Sequence, residues 1–147
     1  MPNKIFNTTF ENSLRALLLL SLTENTTVDQ LVLYDFISIY GKDFGVSESN
    51  LHGDNDFSFG EFASRRKVMP EALKSLVQSG LATVKNSEDG FRYSITASGR
   101  KMCASMSSGY SQEYREIAKT AIEKYHGMTE VELLEHVGGK SVDVLRR

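Results

Sequence analysis

Apolar residues recur at helical spacing along most of this chain and at strand spacing over one short stretch. Leu14, Ala16, Leu17, Leu18, Leu19, Leu20 and Leu22 surround a first helix almost completely, so it is expected to lie centrally. Thr8 and Glu11 supply its capping box, and Arg15 is the charge embedded in it. Thr27 and Gln30 open a second helix by the same device, running through Leu31, Val32, Leu33, Tyr34, Phe36, Ile37, Ile39 and Tyr40. Gly41 ends it, and residues 41–57 form a polar loop rich in Gly, Ser, Asn and Asp.

The stretch from Ser58 to Gly99 reads as helix, helix, hairpin and helix start. Ser58 and Glu61 have capping-box spacing, Phe59 and Phe62 share a side, and Pro70 predicts a break near Met69. The next helix carries Leu73, Leu76 and Val77 on one face and ends at Gly80. Strands are expected at Leu81 to Lys85 and Phe91 to Thr96. In the second, Phe91, Tyr93 and Ile95 alternate with Arg92 and Ser94, and Asp89-Gly90 makes the turn. Thr96 caps a helix over Ala97 to Met106, in which Met102, Cys103 and Met106 read as core filling. The fold class is therefore mainly α: a winged helix-turn-helix with a two-stranded wing plus C-terminal helices.

After a break at Ser107 to Gly109, a long helix follows with Tyr110, Tyr114, Ile117, Ala118, Ala121 and Tyr125 along one stripe. It packs back on the domain or meets a partner. Tyr110, Tyr114 and Tyr125, apolar in body and polar at the tip, favour an interface. Thr129 and Glu132 cap a last helix holding Val131, Leu133, Leu134 and Val137. Gly138-Gly139-Lys140 reads as its stop, and the tail from Ser141 to Arg147 as frayed. Without a preceding strand, this Gly-Gly-Lys is not a phosphate loop. The division expected is 1–107, a winged-helix domain with its N-terminal helices, and 108–147, a helical extension.

Charge refines this picture. The chain of 147 residues has a net charge of -2, which argues against a general nucleic-acid binder. Yet residues 64–101 hold eight basic residues against three acidic ones. Within that region Lys67, Lys74, Lys85, Arg92, Arg100 and Lys101 are candidates for a surface facing DNA or an acidic partner. The second helix of the motif exposes Glu71, Lys74, Ser75 and Gln78, a poor set for reading bases, and Glu88 and Asp89 at the wing tip suit phosphate badly.

Little else suggests chemistry. Asp35 lies in an apolar run, where an unpaired carboxylate is expensive; Arg15, Arg65, Arg66 or a helix cap is its expected partner in a structural ion pair. His52, Gly53, Asp54, Asn55 and Asp56 bring a histidine beside carboxylates, but at no metal-motif spacing and without a calcium-loop pattern. Local turn chemistry is the alternative reading of that loop. No catalytic residue, cofactor site or metal site is assigned. The lone Cys103 excludes an internal disulfide and fits a reducing cytoplasm. The N-terminus lacks a signal pattern, and the longest apolar run, Leu17 to Leu20, is too short to span a membrane.

Several segments taken in order resemble a known family. They are Phe10-Glu11-x-x-Leu14-Arg15 with its leucines, Leu31-x-Leu33-Tyr34-Asp35-Phe36, Asn50-Leu51-His52-Gly53, Glu61-x-x-x-Arg65-Arg66, Ser79-Gly80-Leu81 and Tyr93-x-Ile95-Thr96. From Phe10 to Tyr125 the chain resembles the small middle component of bacterial three-component ABC-ATPase systems, Lamassu-type anti-phage defence among them. It departs from the family pattern after His52, where Gly53-Asp54-Asn55 replaces a proline-containing loop. The resemblance implies a non-catalytic subunit. Its partners would be an ATPase related to structural-maintenance-of-chromosomes (SMC) and Rad50 proteins and an effector, often a nuclease, with DNA sensed through the complex. A DNA-binding winged-helix regulator is the alternative, and an enzyme centred on His52, Asp54 and Asp56 is the weakest reading.

Overall fold

The computed structural model describes residues 9–51 and 59–145. Among them are six helices and one hairpin: α1 (Thr9–Leu20), α2 (Val28–Ile39), α3 (Phe59–Gln78), β1 (Ala82–Ser87), β2 (Gly90–Ile95), α4 (Ala97–Ser105), α5 (Gly109–Tyr125) and α6 (Glu130–Leu145). The protein is thus mainly helical with a two-stranded antiparallel sheet.

The α2 helix is the axis of the packing. Its capping box forms: the Thr27 hydroxyl accepts from the Gln30 amide at 3.2 Å, and the Gln30 side chain accepts from the Thr27 amide at 3.3 Å. Every residue from Leu31 to Ile39 is buried, so a helix apolar on all sides is enclosed on all sides. The α1, α3, α5 and α6 helices surround it, and α1 also packs along α3.

Two expected interruptions are absent. The α3 helix runs unbroken from Phe59 to Gln78 with Pro70 inside it, so the break near Met69, and the helix-turn-helix that depended on it, do not form. Phe62, Arg65, Met69, Ala72, Leu73 and Leu76 continue one buried stripe across the proline, while Pro70 itself is exposed. Burial of that stripe offsets the roughly 3 kcal/mol that an interior proline costs. Likewise α6 continues through Gly138-Gly139 to Leu145, where a stop and a frayed tail were expected. Each interior glycine costs about 1 kcal/mol relative to alanine. A formed capping box (Thr129 amide to Glu132 carboxylate 2.9 Å, Glu132 amide to Thr129 hydroxyl 3.1 Å) and the buried pair Leu133 and Val137 hold the helix despite them.

The hairpin pairs Ala82 with Ile95 at one end and Ser87 with Gly90 at the other. Its tip is therefore Glu88-Asp89, one residue earlier than the expected Asp89-Gly90, and Gly90 takes φ +100° as the first residue of β2. The edge of β2 also pairs with the turn before α2: Thr26 and Tyr93 exchange amide hydrogen bonds of 2.9 and 2.8 Å. At the other end of β2, the Thr96 hydroxyl donates to the Gly80 carbonyl at 2.8 Å and accepts from the Gly99 amide at 3.0 Å, tying the start of α4 to the end of α3. The loop after α2 is anchored as far as Leu51: Phe44 is buried beside Phe36, and its carbonyl accepts from Lys124 at 2.6 Å and from the Tyr125 hydroxyl at 3.3 Å.

Candidate functional site

Two features stand out, a buried polar hub and an apolar groove. The hub is Asp35 on α2. One carboxylate oxygen accepts from Arg15 Nε on α1 at 3.0 Å and from the Tyr114 hydroxyl on α5 at 2.7 Å; the other accepts from an Arg65 guanidinium nitrogen on α3 at 3.0 Å. Four helices thus meet on one carboxylate. Arg15, Asp35, Arg65 and Tyr114 are all at most 4% exposed. Around them, Arg15 also donates to the Asn12 side chain, and Tyr110 stacks beside Tyr114 with ring centroids 6.5 Å apart.

Burial acts to raise the Asp35 pKa, but the adjacent Arg15 and Arg65 charges overcome it and hold the carboxyl below its ordinary value. Burial pushes Tyr110 up to about 12, and burial plus the Asp35 charge pushes Tyr114 well above the usual phenol. A carboxylate kept ionised by two guanidiniums and shielded from water is a weak base, so the hub ties helices together rather than moving protons.

Arg66 does not join it. Its partner is Asp29, at 3.3 Å, and both side chains are half exposed. The tyrosine stripe of α5 also faces the chain's own core: Tyr114 reaches Asp35, and Tyr125 is buried with its hydroxyl on the Phe44 carbonyl and 3.1 Å from His136 Nε2. Those two tyrosines do not form an outward partner face, because their polar tips find partners inside. Of the basic candidates, Lys67, Lys74, Lys85, Arg100 and Lys101 are exposed on α3, β1 and α4. Arg92 is engaged by the Asn25 carbonyl at 2.9 Å and by Asp89 at 3.3 Å. The loop residues His52, Gly53, Asp54 and Asn55 lie outside the described residues.

The groove runs between α1, the end of α3, α4 and the start of α5, with a volume of about 500 Å³. Leu14, Leu17, Leu76, Leu81 and Met106 line it, together with serines, and no charged residue does. Phe10 and Met102 also line it and are 70% and 44% exposed. Met102 is thus surface rather than the core filling expected. Its neighbour Cys103 does turn inward, donating to the Leu17 carbonyl at 3.6 Å, and burial raises its thiol pKa, so it is a packed side chain and not a nucleophile. On α4, Met102 lies about 100° round the helix from Cys103, so with Cys103 turned inward Met102 comes to the surface, while Met106, at the C-cap, packs partly on the core.

Among the described residues, no group of three or more His, Cys, Asp and Glu could hold a metal ion, and no helix is long and apolar enough to cross a membrane. Residues 5–147 match the family described as ABC-three component (ABC-3C) system Middle Component 2. The chain belongs to that family. It matches no curated protein and no solved structure. Membership makes this Middle Component 2 protein an accessory component of an ABC ATPase system, with the ATPase and the other components as its partners.

Proposed function

We propose that this middle component is a non-catalytic adaptor that joins an SMC/Rad50-like ATPase to an effector, a nuclease in a Lamassu-type anti-phage system. The observation that carries the reading is the uncharged groove with Phe10 and Met102 held out to solvent. Large apolar side chains exposed together on a rigid scaffold suit a protein partner. The hub supports it, since a domain locked at four helices can transmit a displacement as a body. We further read the order α1, Thr26 bridge, α2, α3, hairpin as a winged helix, with α3 as its long third helix and the hairpin as its wing. The buried Cys103 and the absence of a spanning helix among the described residues are compatible with action in the cytoplasm.

The test is co-expression with the products of the adjacent genes and recovery through a tag on this chain. A stable complex with an ATPase, lost in Phe10→Glu or Met102→Glu while those variants still fold, supports the adaptor. A complex unchanged by both substitutions refutes the groove as its docking surface, and no complex at all refutes the adaptor.

The exposed Lys67, Lys74, Lys85, Arg100 and Lys101 favour a second reading, direct DNA contact. It requires a mobility shift at low salt whose affinity falls steeply as salt rises. No shift at low salt, or a salt-independent one, eliminates it.

A further inference from the structure

The two edges of the hairpin differ. On β2, Tyr93 exchanges both its amide hydrogen bonds with Thr26, and the Asn25 amide donates to the Ser94 hydroxyl at 3.2 Å. The chain thus covers that edge itself. An antiparallel ladder alternates residues that bond across the pair with residues that bond outward. Tyr93 bonds outward, so its cross-strand partner Val84 turns its amide and carbonyl outward from β1, and so does Asn86 two residues on. The bond from the Thr96 amide to the Leu81 carbonyl, 3.1 Å, has the same phase. Among the described residues only β2 pairs with β1, so the edge at Val84 and Asn86 is open.

The side chains beside that edge are also unmet. Val84, Phe91, Tyr93 and Ile95 share one face of the hairpin. Ile95 and Tyr93 are partly buried against the core, but towards the tip Val84 and Phe91 are 40% and 57% exposed. On the other face Lys85 stands directly opposite Arg92, a like-charge pair that is unfavourable by itself. Asp89 and the Asn25 carbonyl engage Arg92. Lys85 is exposed and has no carboxylate partner among the described residues.

We propose that β1 receives an extended segment of another component of the system as a third strand, with an acidic residue opposite Lys85 and apolar residues flanking it. Open main-chain groups in a row select an extended chain rather than a helix. Alternation then places the acid on the Lys85 face and its two neighbours on the face of Val84 and Phe91. A second copy of this chain is the poorer occupant. Antiparallel pairing through Val84 and Asn86 of both copies sets Lys85 against Lys85. The inference rests on the adaptor reading but uses a different surface, since no residue of β1 or β2 lines the groove.

Residue-resolved amide hydrogen exchange tests this, on the chain alone and in the complex recovered by co-expression. Val84 and Asn86 should exchange fast in the chain alone and about tenfold or more slowly in the complex, whereas Lys85, bonded within the hairpin, changes little. A complex in which Val84 and Asn86 exchange as in the chain alone overturns strand addition and leaves the adaptor standing. No complex at all removes both. Two variants probe the same edge. Lys85→Glu faces Arg92, so it should melt no lower than the wild type, yet weaken the complex about fivefold or more. Val84→Pro removes an outward amide without touching the bonds between β1 and β2 and should weaken it about tenfold or more. Wild-type affinity in both variants overturns the proposal. So does a Lys85→Glu chain that loses DNA binding but keeps the complex.

Discussion

Asp35 shows how one side chain can decide whether a mostly helical chain has a defined interior. Two buried guanidiniums and a phenol converge on it, so its charge neutralises groups that would otherwise be stranded. Asp35→Asn, nearly the same shape without the charge, is expected to lower the unfolding free energy by about 3–5 kcal/mol. Tyr114→Phe, which removes one hydrogen bond to a charged group, should cost about 1.5–3 kcal/mol. Urea denaturation of both variants checks the order, and a Tyr114→Phe loss equal to that of Asp35→Asn would contradict the hub as described. The pH dependence follows from the depressed carboxyl. Its contribution is complete above the unfolded pKa of about 4 and is lost as pH falls from there through the folded value. Denaturation curves recorded between about pH 6 and pH 2 should show stability dropping below about pH 4, with Asp35→Asn missing that part of the slope.

Among the elements, α3 and α6 share a lesson. Pro70 and Gly138-Gly139 are strong local signals for a helix end, yet both lie inside helices. Local propensity loses where a buried stripe of three- and four-residue spacing continues on both sides of the breaker, as it does from Phe62 to Leu76. The joint between the hairpin and α4 is the opposite case, since Tyr93-x-Ile95-Thr96-x-x-Gly99 is readable from sequence and forms as a unit. A Cβ at Gly99 would lie 2.2 Å from the Leu81 carbonyl oxygen and 2.6 Å from Ile95 Cγ1. Gly99→Ala should therefore destabilise by about 1–3 kcal/mol although alanine is the better helix former. A thermal midpoint equal to or above the wild type's would show that the joint can relax.

Taken together, the helices form a closed body with its uncharged opening between α1, α3, α4 and α5. Phe10 and Met102 are already in water, so replacing either with glutamate should change stability by no more than about 0.5 kcal/mol. The same substitutions should remove the ATPase from a pull-down. Equal loss of stability and of complex would mean that these residues hold the fold instead.

The helices and the hairpin could be read from the chain because period and capping are local: Thr27 with Gln30, Thr129 with Glu132 and the alternation in β2 need no distant partner. That Asp35 must be paired was also legible, since an apolar run of that length is buried wherever it lies. Which guanidinium reaches it was not. Arg65 and Arg66 are adjacent in sequence, and a rotation of about 100° about α3 separates the buried partner from the exposed one. The direction of the α5 tyrosines, the exposure of Met102 and the groove it lines depend on how α1, α3, α4 and α5 face one another. No local periodicity encodes that choice, because a tyrosine or methionine at the same helical spacing suits a core and an interface equally well.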